Sequence, residues 1–167
     1  DGEISLCTLS AINWGLINEP KEFKKYCNLA VRGLDELLSY QDYPVPAAHE
    51  STMARRPLGV GIINLAYFLA KRGLKYDEGS LQTIDEYAEA WSYYLIKASV
   101  DLAKEKGPCL KNDETKYSLG LFPKDTYKKE VDELIPHKER MKWSTLKKDV
   151  LKHGIRNSTL MALMPAE

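Results

Sequence analysis

The three cysteines of this sequence have the clearest potential for chemistry, because a thiolate can act as a nucleophile or as a reductant. Cys7 lies in a short apolar run that ends in Asn-Trp-Gly, Cys27 falls on the apolar face of a predicted helix, and Cys109 follows a Gly-Pro pair. Their wide spacing is not that of a disulfide framework. We expect Cys27 to fill the core and interpret Cys109 as incidental. For Cys7 the residues alone leave a structural and a chemical role open, since reactivity depends on exposure and pKa.

The other residues that could carry chemistry form weaker patterns. His49, His137 and His153 are too far apart in sequence for a zinc motif, so they predict no metal site. The stretch LGVGIIN is neither a dinucleotide fingerprint nor a phosphate-binding loop, and its glycines favour close packing. Arg55 and Arg56 are suited either to a phosphate or to ion pairs.

The stretch IRNSTLMALMPAE is the second informative region. Its apolar residues 160–164 predict a strand, which is followed by Pro165, Ala166 and Glu167. Ligand loops of α/β folds follow the carboxyl ends of strands, and backbone N–H groups of such a loop can hold a phosphate. Spacing alone leaves open whether this loop binds a ligand.

Composition excludes several classes of partner. The chain has 167 residues, with 24 basic and 24 acidic side chains, so we expect one domain or part of one and no nucleic-acid surface. No apolar run approaches the ~20 residues of a membrane helix, and no signal peptide is recognisable. We therefore expect a cytoplasmic protein with reduced thiols. The start at Asp1 and the apolar stretch before Glu167 suggest a piece of a longer chain.

Hydrophobic periodicity predicts the elements that must position these residues. Residues 4–12 alternate like a strand, and the first half of LGVGIINLAYFLAKRG indicates a second, buried strand. Residues 41–57 are proline-rich and predict a loop, and IRNSTLMALMP predicts a final strand. Strands alternating with helices indicate an α/β fold. The predicted helices cover residues 19–40, 64–72, 125–134 and 143–153, with a long helix running from a capping box at residues 83–86 to Gly107.

Three stretches together resemble the large, catalytic subunit of class I ribonucleotide reductase, and the aerobic bacterial and phage type is the most similar. They are GEISLCTLSAINWG, YPVPAAHESTMARRPLGVGIINLAYFLAKRG and GIRNSTLMALMPAE, and the stretches between them match in kind and order. The resemblance implies part of a ten-stranded α/β barrel, from its second half-barrel. Residues 1–114 would be a half-barrel segment, residues 115–153 a small helical or α/β appendage, and residues 154–167 a barrel strand that leads to a phosphate-binding loop.

The resemblance also implies roles for individual residues. Cys7 matches one of the two active-site cysteines that form a disulfide when the ribose 2′-hydroxyl leaves as water. Leu9, two residues further along the same strand face, is expected to line the same pocket. Pro165, Ala166 and Glu167 match the start of the loop that holds the substrate diphosphate. Ala166 stands where the family usually has serine, so a hydroxyl contact to phosphate is lost while backbone donors remain.

Other parts of the family's machinery are expected outside this sequence. They include the cysteine that carries the thiyl radical, the redox partner of Cys7, the sites for nucleoside triphosphate effectors and the tail cysteines. Cys27 and Cys109 match no redox position of the family. No cofactor is expected on this segment, because a di-iron small subunit supplies the radical in the family. The expected partners are the rest of the large subunit, that small subunit, thioredoxin or glutaredoxin, and a ribonucleoside diphosphate substrate.

Two other interpretations stay open at this point. The chain could be a non-catalytic module of reductase-like fold that serves subunit contacts, which the departure at Ala166 favours. It could also be one piece of a split reductase subunit that needs a complementing chain. Half a barrel leaves unpaired strand edges, and such edges need a partner.

Overall fold

A computed structural model describes residues 2–136 and 138–164 of the chain. Short 3-10 turns connect the regular elements of this part, and none of its helices is both long and apolar enough to cross a membrane. The regular elements are β1 (Thr8–Asn13), α1 (Phe23–Tyr40), α2 (Pro46–Arg55), β2 (Leu58–Ile63), α3 (Leu65–Ala70), α4 (Leu81–Lys106) and α5 (Trp143–His153).

The two strands form a parallel sheet. Thr8 pairs with Leu58 at one end of the ladder, and Asn13 pairs with Ile63 at the other. Parallel strands need a long crossover, which here contains α1 and α2. Within the described ranges, β1 pairs only with β2, so its other edge carries no partner strand.

The predicted final strand is right in position and wrong in extent. Residues 155–164, which we call the C-terminal segment, run beside β2 but form only one isolated bridge, between Val60 and Met161. The Leu58 N–H donates to the Thr159 carbonyl at 3.0 Å, and the Val60 N–H donates to the Leu160 carbonyl at 2.8 Å. The Thr159 hydroxyl donates to the Leu58 carbonyl at 3.2 Å, so a side chain takes the place of one ladder bond.

One face of the sheet is buried beneath the helices. Ile12, Leu58 and Val60 point to this face and are 6%, 1% and 0% exposed. The helix α1 packs against both strands and against α4. Its apolar stripe follows helical spacing and includes Cys27, which confirms the core position expected for that residue. The buried apolar side chains of α1 are Phe23, Cys27, Val31, Leu34 and Leu38.

An aromatic cluster fixes the carboxyl end of β1. Trp14, which directly follows the strand, makes edge-to-face contacts with Phe23, Phe68 and Trp91, at centroid distances of 5.5, 5.4 and 6.5 Å. Such pairs add about 0.5–1.5 kcal/mol to simple area burial. The Arg72 guanidinium closes the cluster, because it lies 3.8 Å from the centroid of the Phe68 ring. The cluster therefore joins β1 to three helices.

The predicted loop over residues 41–57 is wrong over most of its length, because Pro46–Arg55 forms α2. Pro46 occupies the first turn of this helix, where a missing N–H costs nothing and the fixed φ is suitable. Val45 is extended, with φ −144° and ψ 147°, as a residue before proline prefers. The prolines therefore mark the beginning of a helix rather than an irregular stretch.

The capping box predicted at residues 83–86 is also wrong, because α4 begins at Leu81. The chain turns just before it, in the 3-10 helix Glu78–Ser80. Asp77 caps that turn, since its carboxylate accepts from the Gly79 N–H at 3.0 Å. At the other end of α4, Gly107 takes a φ of +83°, which confirms the predicted stop.

The helix predicted over residues 125–134 is replaced by two 3-10 turns, Pro123–Asp125 and Lys129–Glu133. The Asp125 carboxylate accepts from the Phe122 N–H at 2.9 Å, which closes the first turn locally instead of starting an α-helix.

The remaining helices are confirmed to within a few residues. The boundaries at residues 114 and 153 that the resemblance implies remain a prediction.

A buried carboxylate on α4 holds the beginning of α5. Glu89 accepts from the backbone N–H groups of Arg140 and Met141, at 2.8 and 3.0 Å, and from the Trp143 indole N–H at 2.9 Å. Burial alone would raise the pKa of Glu89, but these donors outweigh it and hold that pKa below its ordinary value of 4.5. The pKa of Glu89 is therefore lower in the folded protein than in the unfolded chain, and its contribution to the free energy of unfolding is complete above the unfolded-state pKa. This contribution is lost as the pH falls through the folded-state pKa.

We predict that Glu89→Gln weakens the docking of α5 by about 1–3 kcal/mol, because the amide cannot accept all of these N–H groups. Hydrogen exchange over residues 140–150 should be faster than in the unmodified protein at neutral pH. The matched variant Glu86→Gln, on the same helix but outside this cluster, should leave exchange unchanged. The difference should shrink once the pH falls below about 4.5, the ordinary pKa of the group. Equal exchange at neutral pH would contradict the role assigned to Glu89.

Candidate functional site

Cys7 lies directly before β1, and its sulfur occupies space that Gly59 leaves open. A Cβ atom at position 59 would lie 2.7 Å from the Cys7 sulfur and 2.5 Å from a methyl carbon of Leu9. Both distances are shorter than real Cβ contacts, so glycine at position 59 allows the thiol to lie where it does. The strand register explains why Cys7 and Leu9 contact Gly59, because Leu9 pairs with Gly59 across the sheet. Cys7 and Leu9 thus share the sheet face that points away from the buried core.

The C-terminal segment closes over the same face. The Cβ atom of Ala162 lies 3.1 Å from the Cβ position at Gly59. A Cβ atom at Gly61 would lie 2.6 Å from the Ala162 carbonyl oxygen and 2.8 Å from the terminal methyl of Met164. The close packing expected from these glycines is confirmed. Two informative stretches from opposite ends of the sequence therefore meet over one strand.

The environment of Cys7 favours the protonated thiol. Partial burial raises the pKa of Cys7 above its ordinary value of 9.0, so the sulfur keeps its proton at neutral pH. Cys7 is nevertheless the exposed cysteine, whereas Cys27 and Cys109 are buried, and all three are free. Burial raises the pKa of Cys27 and of Cys109 as well. Exposure and position on the sheet thus distinguish Cys7 from two thiols that fill the core.

The remaining predicted site residues divide into two groups. Leu9 is 52% exposed beside Cys7, where it can contact a ligand on this face. Pro165, Ala166 and Glu167 lie outside the described residues, which reach Met164 at this end. Among the described side chains, no group of three or more His, Cys, Asp or Glu residues is arranged to hold a metal ion.

Arg55 and Arg56 were considered either as ligands for a phosphate or as members of ion pairs, and the structure shows both in ion pairs. Arg55 lies between two carboxylates, 2.9 Å from Glu3 and 2.8 Å from Glu114. Arg56 is 5% exposed, and its Nε donates to the Asp35 carboxylate at 2.6 Å. Buried charges of this kind are tolerated only when they are paired.

Sequence reasoning missed the polar cluster around Asp35. We call this cluster the Asp35 network, and its members are Asp35, Arg56, Ser99, Arg156 and Asn157. One signal for it was available. Asp35 interrupts the apolar stripe of α1 between Leu34 and Leu38, and a charge at such a position needs a buried partner. Its partners come from distant parts of the chain, which no local pattern indicates.

Comparison with known proteins gives one consistent family. The sequence matches the family model described as ribonucleotide reductase, barrel domain, over residues 1–167. It is 51% identical to the ribonucleoside-diphosphate reductase subunit alpha of Buchnera aphidicola subsp. Schizaphis graminum over 168 residues, which cover 100% of this chain and 22% of the relative. The Haemophilus influenzae subunit alpha is 52% identical over 168 residues, with 100% and 22% coverage. The Escherichia coli reductase 1 subunit alpha is 51% identical over 131 residues, with 78% and 17% coverage.

The chain thus spans about a fifth of the length of the curated relatives it matches. The expected α/β fold is confirmed as part of such a barrel domain, and the sheet is not closed within the described residues. The resemblance to the class I large subunit is confirmed by the same relatives.

We predict that Gly59→Ala displaces the Cys7 thiol while leaving the fold intact. The new methyl would meet the ends of the Cys7 and Leu9 side chains, and both can rotate away. It would also lie 3.1 Å from the Ala162 Cβ atom, so the C-terminal segment must shift by a few tenths of an ångström. Moving the sulfur out of its partly buried position lowers its pKa towards the ordinary value, so alkylation of Cys7 by iodoacetamide should become several-fold faster. Mass spectrometry of the full-length polypeptide measures this rate.

Gly33→Ala is the matched control for this experiment. A Cβ atom at Gly33 meets nothing within 4 Å, and alanine is the better helix former on α1. This variant should leave the alkylation rate of Cys7 unchanged. If Gly59→Ala and Gly33→Ala alkylate at the same rate, the packing of the thiol against Gly59 does not control its environment.

Proposed function

The chain belongs to the ribonucleotide reductase large-subunit family as part of its barrel domain, and we propose that it contributes Cys7 to the reduction of ribonucleoside diphosphates. The product is the 2′-deoxyribonucleoside diphosphate. One observation carries the proposal: Cys7 is the exposed cysteine and packs against Gly59, on the sheet face that points away from the buried core. A thiol placed in the interior of a barrel can reach a bound sugar, whereas a thiol in the hydrophobic core cannot.

The proposed reaction uses two thiols as a two-electron reductant. The ribose 2′ C–O bond breaks, its oxygen leaves as water, and a C–H bond replaces it. Cys7 and a second cysteine, from the rest of the large subunit, give up two electrons and two protons and form one S–S bond. A dithiol protein such as thioredoxin or glutaredoxin then restores both thiols by exchange. The raised pKa of Cys7 suits this role, because the resting sulfur retains the proton that it must deliver.

The substrate contacts of this chain are proposed at two places. Leu9 contributes apolar surface next to the thiol, against which a ribose ring can lie. Pro165, Ala166 and Glu167 begin the loop that holds the diphosphate, mainly through backbone N–H groups. With Ala166 in place of a serine, the backbone donors carry more of that binding.

The partners and location follow from the same proposal. The rest of the large subunit completes the barrel and holds the effector sites. A di-iron small subunit supplies the radical, and no cofactor binds to the segment itself. We place the enzyme in the cytoplasm, because a thiol pair that cycles through a disulfide must be kept reduced between turnovers.

We predict that Cys7→Ser in the complete large subunit abolishes thioredoxin-dependent turnover. Serine preserves the size of the side chain but cannot form the disulfide, so the loss should exceed a factor of about 1,000, as for removal of an essential reacting group. The assay is the formation of deoxyribonucleoside diphosphate with the small subunit present. Cys109→Ala is the control, since that thiol is buried and should leave turnover intact.

The same assay tests the non-catalytic interpretation. A module that serves only subunit contacts would tolerate serine at position 7, so full multiple turnover by Cys7→Ser would refute the proposed function. Failure to find any disulfide between Cys7 and another cysteine of the oxidised large subunit would also count against it.

A further inference from the structure

Asn157 holds the C-terminal segment to the core through its whole side chain. The residue is 0% exposed. Its amide Nδ2 donates to the Asp35 carboxylate at 3.0 Å and to the Arg56 carbonyl at 3.1 Å. Its Oδ1 accepts from the Ser99 hydroxyl at 2.8 Å, and its backbone N–H donates to the same Ser99 oxygen at 3.0 Å. Both amide hydrogens and the amide oxygen are thus satisfied, which defines a single position for the residue.

The partners of Asn157 are themselves fixed. Asp35 is 0% exposed, and its carboxylate accepts from Arg56 Nε at 2.6 Å and from Arg156 Nε at 3.3 Å. Arg56 also donates to the Ser39 hydroxyl at 2.9 Å. Arg56 adopts the left-handed conformation, with φ 46°, immediately before the chain enters β2. The Asp35 network therefore ties α1, the start of β2, α4 and the C-terminal segment to one another.

The bonds that follow Asn157 determine how the C-terminal segment lies on β2. The Ser158 N–H donates to the Arg55 carbonyl at 2.9 Å, and the pairing of the segment with Leu58 and Val60 begins at the next residue. Ala162 consequently faces Gly59, against which the Cys7 sulfur also packs. A shift of one residue would bring Met161 or Leu163 to this place, and both side chains are larger than the methyl group of Ala162.

We propose that Asn157 is a positioning residue for the Cys7 site. It sets the register in which the C-terminal segment lies over β2, and that register places Ala162 beside the thiol. The catalytic consequence rests on the proposed function, whereas the effect on the Cys7 thiol does not.

Asn157→Asp tests the proposal in the complete large subunit with its small subunit. The variant preserves the shape of the side chain, but it removes both amide donors and places a second carboxylate beside Asp35. We expect kcat/KM for the ribonucleoside diphosphate to fall by about 10- to 100-fold, the effect of a displacement near 1 Å at a reacting centre. The iodoacetamide rate of Cys7 should change in the same variant.

A remote variant serves as the control. Glu89→Gln disrupts another buried carboxylate cluster, which joins a different part of α4 to the beginning of α5. It should lower the thermal midpoint comparably while changing kcat/KM less than the Asn157 variant does.

The outcomes separate the two proposals. If Asn157→Asp and Glu89→Gln lose equal stability and equal kcat/KM, and Cys7 alkylates at the unmodified rate in both, Asn157 is only a stabilising residue and the positioning role is wrong. If Cys7→Ser turns over normally, the proposed function fails. A changed alkylation rate in Asn157→Asp would still support the positioning of the thiol in that case.

Discussion

The ion pair between Asp35 and Arg56 is the interaction on which the rest of the structure depends. Both side chains are buried, and an unpaired buried charge costs about 3–5 kcal/mol, so each residue requires the other. Asp35 lies in the second half of α1, and Arg56 lies just before β2. Satisfying this pair therefore fixes the helix relative to the strand. Asn157 and Arg156 extend the constraint to the C-terminal segment, which packs over the glycines of β2.

The two faces of the sheet differ in the size of the side chains that they carry. The face beneath α1 carries large apolar side chains that exclude water. The other face has glycine at positions 59 and 61, and their missing side chains make room for Cys7, Leu9 and the C-terminal segment. Both kinds of surface occur within the six residues of β2, because neighbouring side chains along a strand point to opposite faces of the sheet. A reactive group can thus lie one strand thickness away from a well-packed core.

Much of the fold follows from local patterns in the sequence, because apolar periodicity reports which side of an element is buried. This is why α1, α4, α5 and both strands lie close to where they are predicted. Proline gives an ambiguous signal, since it suits a first helical turn as well as a loop, and α2 was missed for that reason. For the site, Cys7 and Leu9 follow from the resemblance to a known family. The network of Asp35 and Asn157 joins residues more than 100 positions apart, which no periodicity can reveal.

Within the described part of the chain one edge of β1 is unpaired, and this affects how the segment behaves when it is separated from the rest of the barrel. A ladder with vacant donors and acceptors along one side is a template for any extended chain nearby, including another copy of itself. Exposed leucines of the neighbouring α1, such as Leu29 and Leu37, add apolar surface beside this strand edge. When this segment is separated from the rest of the barrel, we expect it to aggregate, and aggregation should increase with protein concentration.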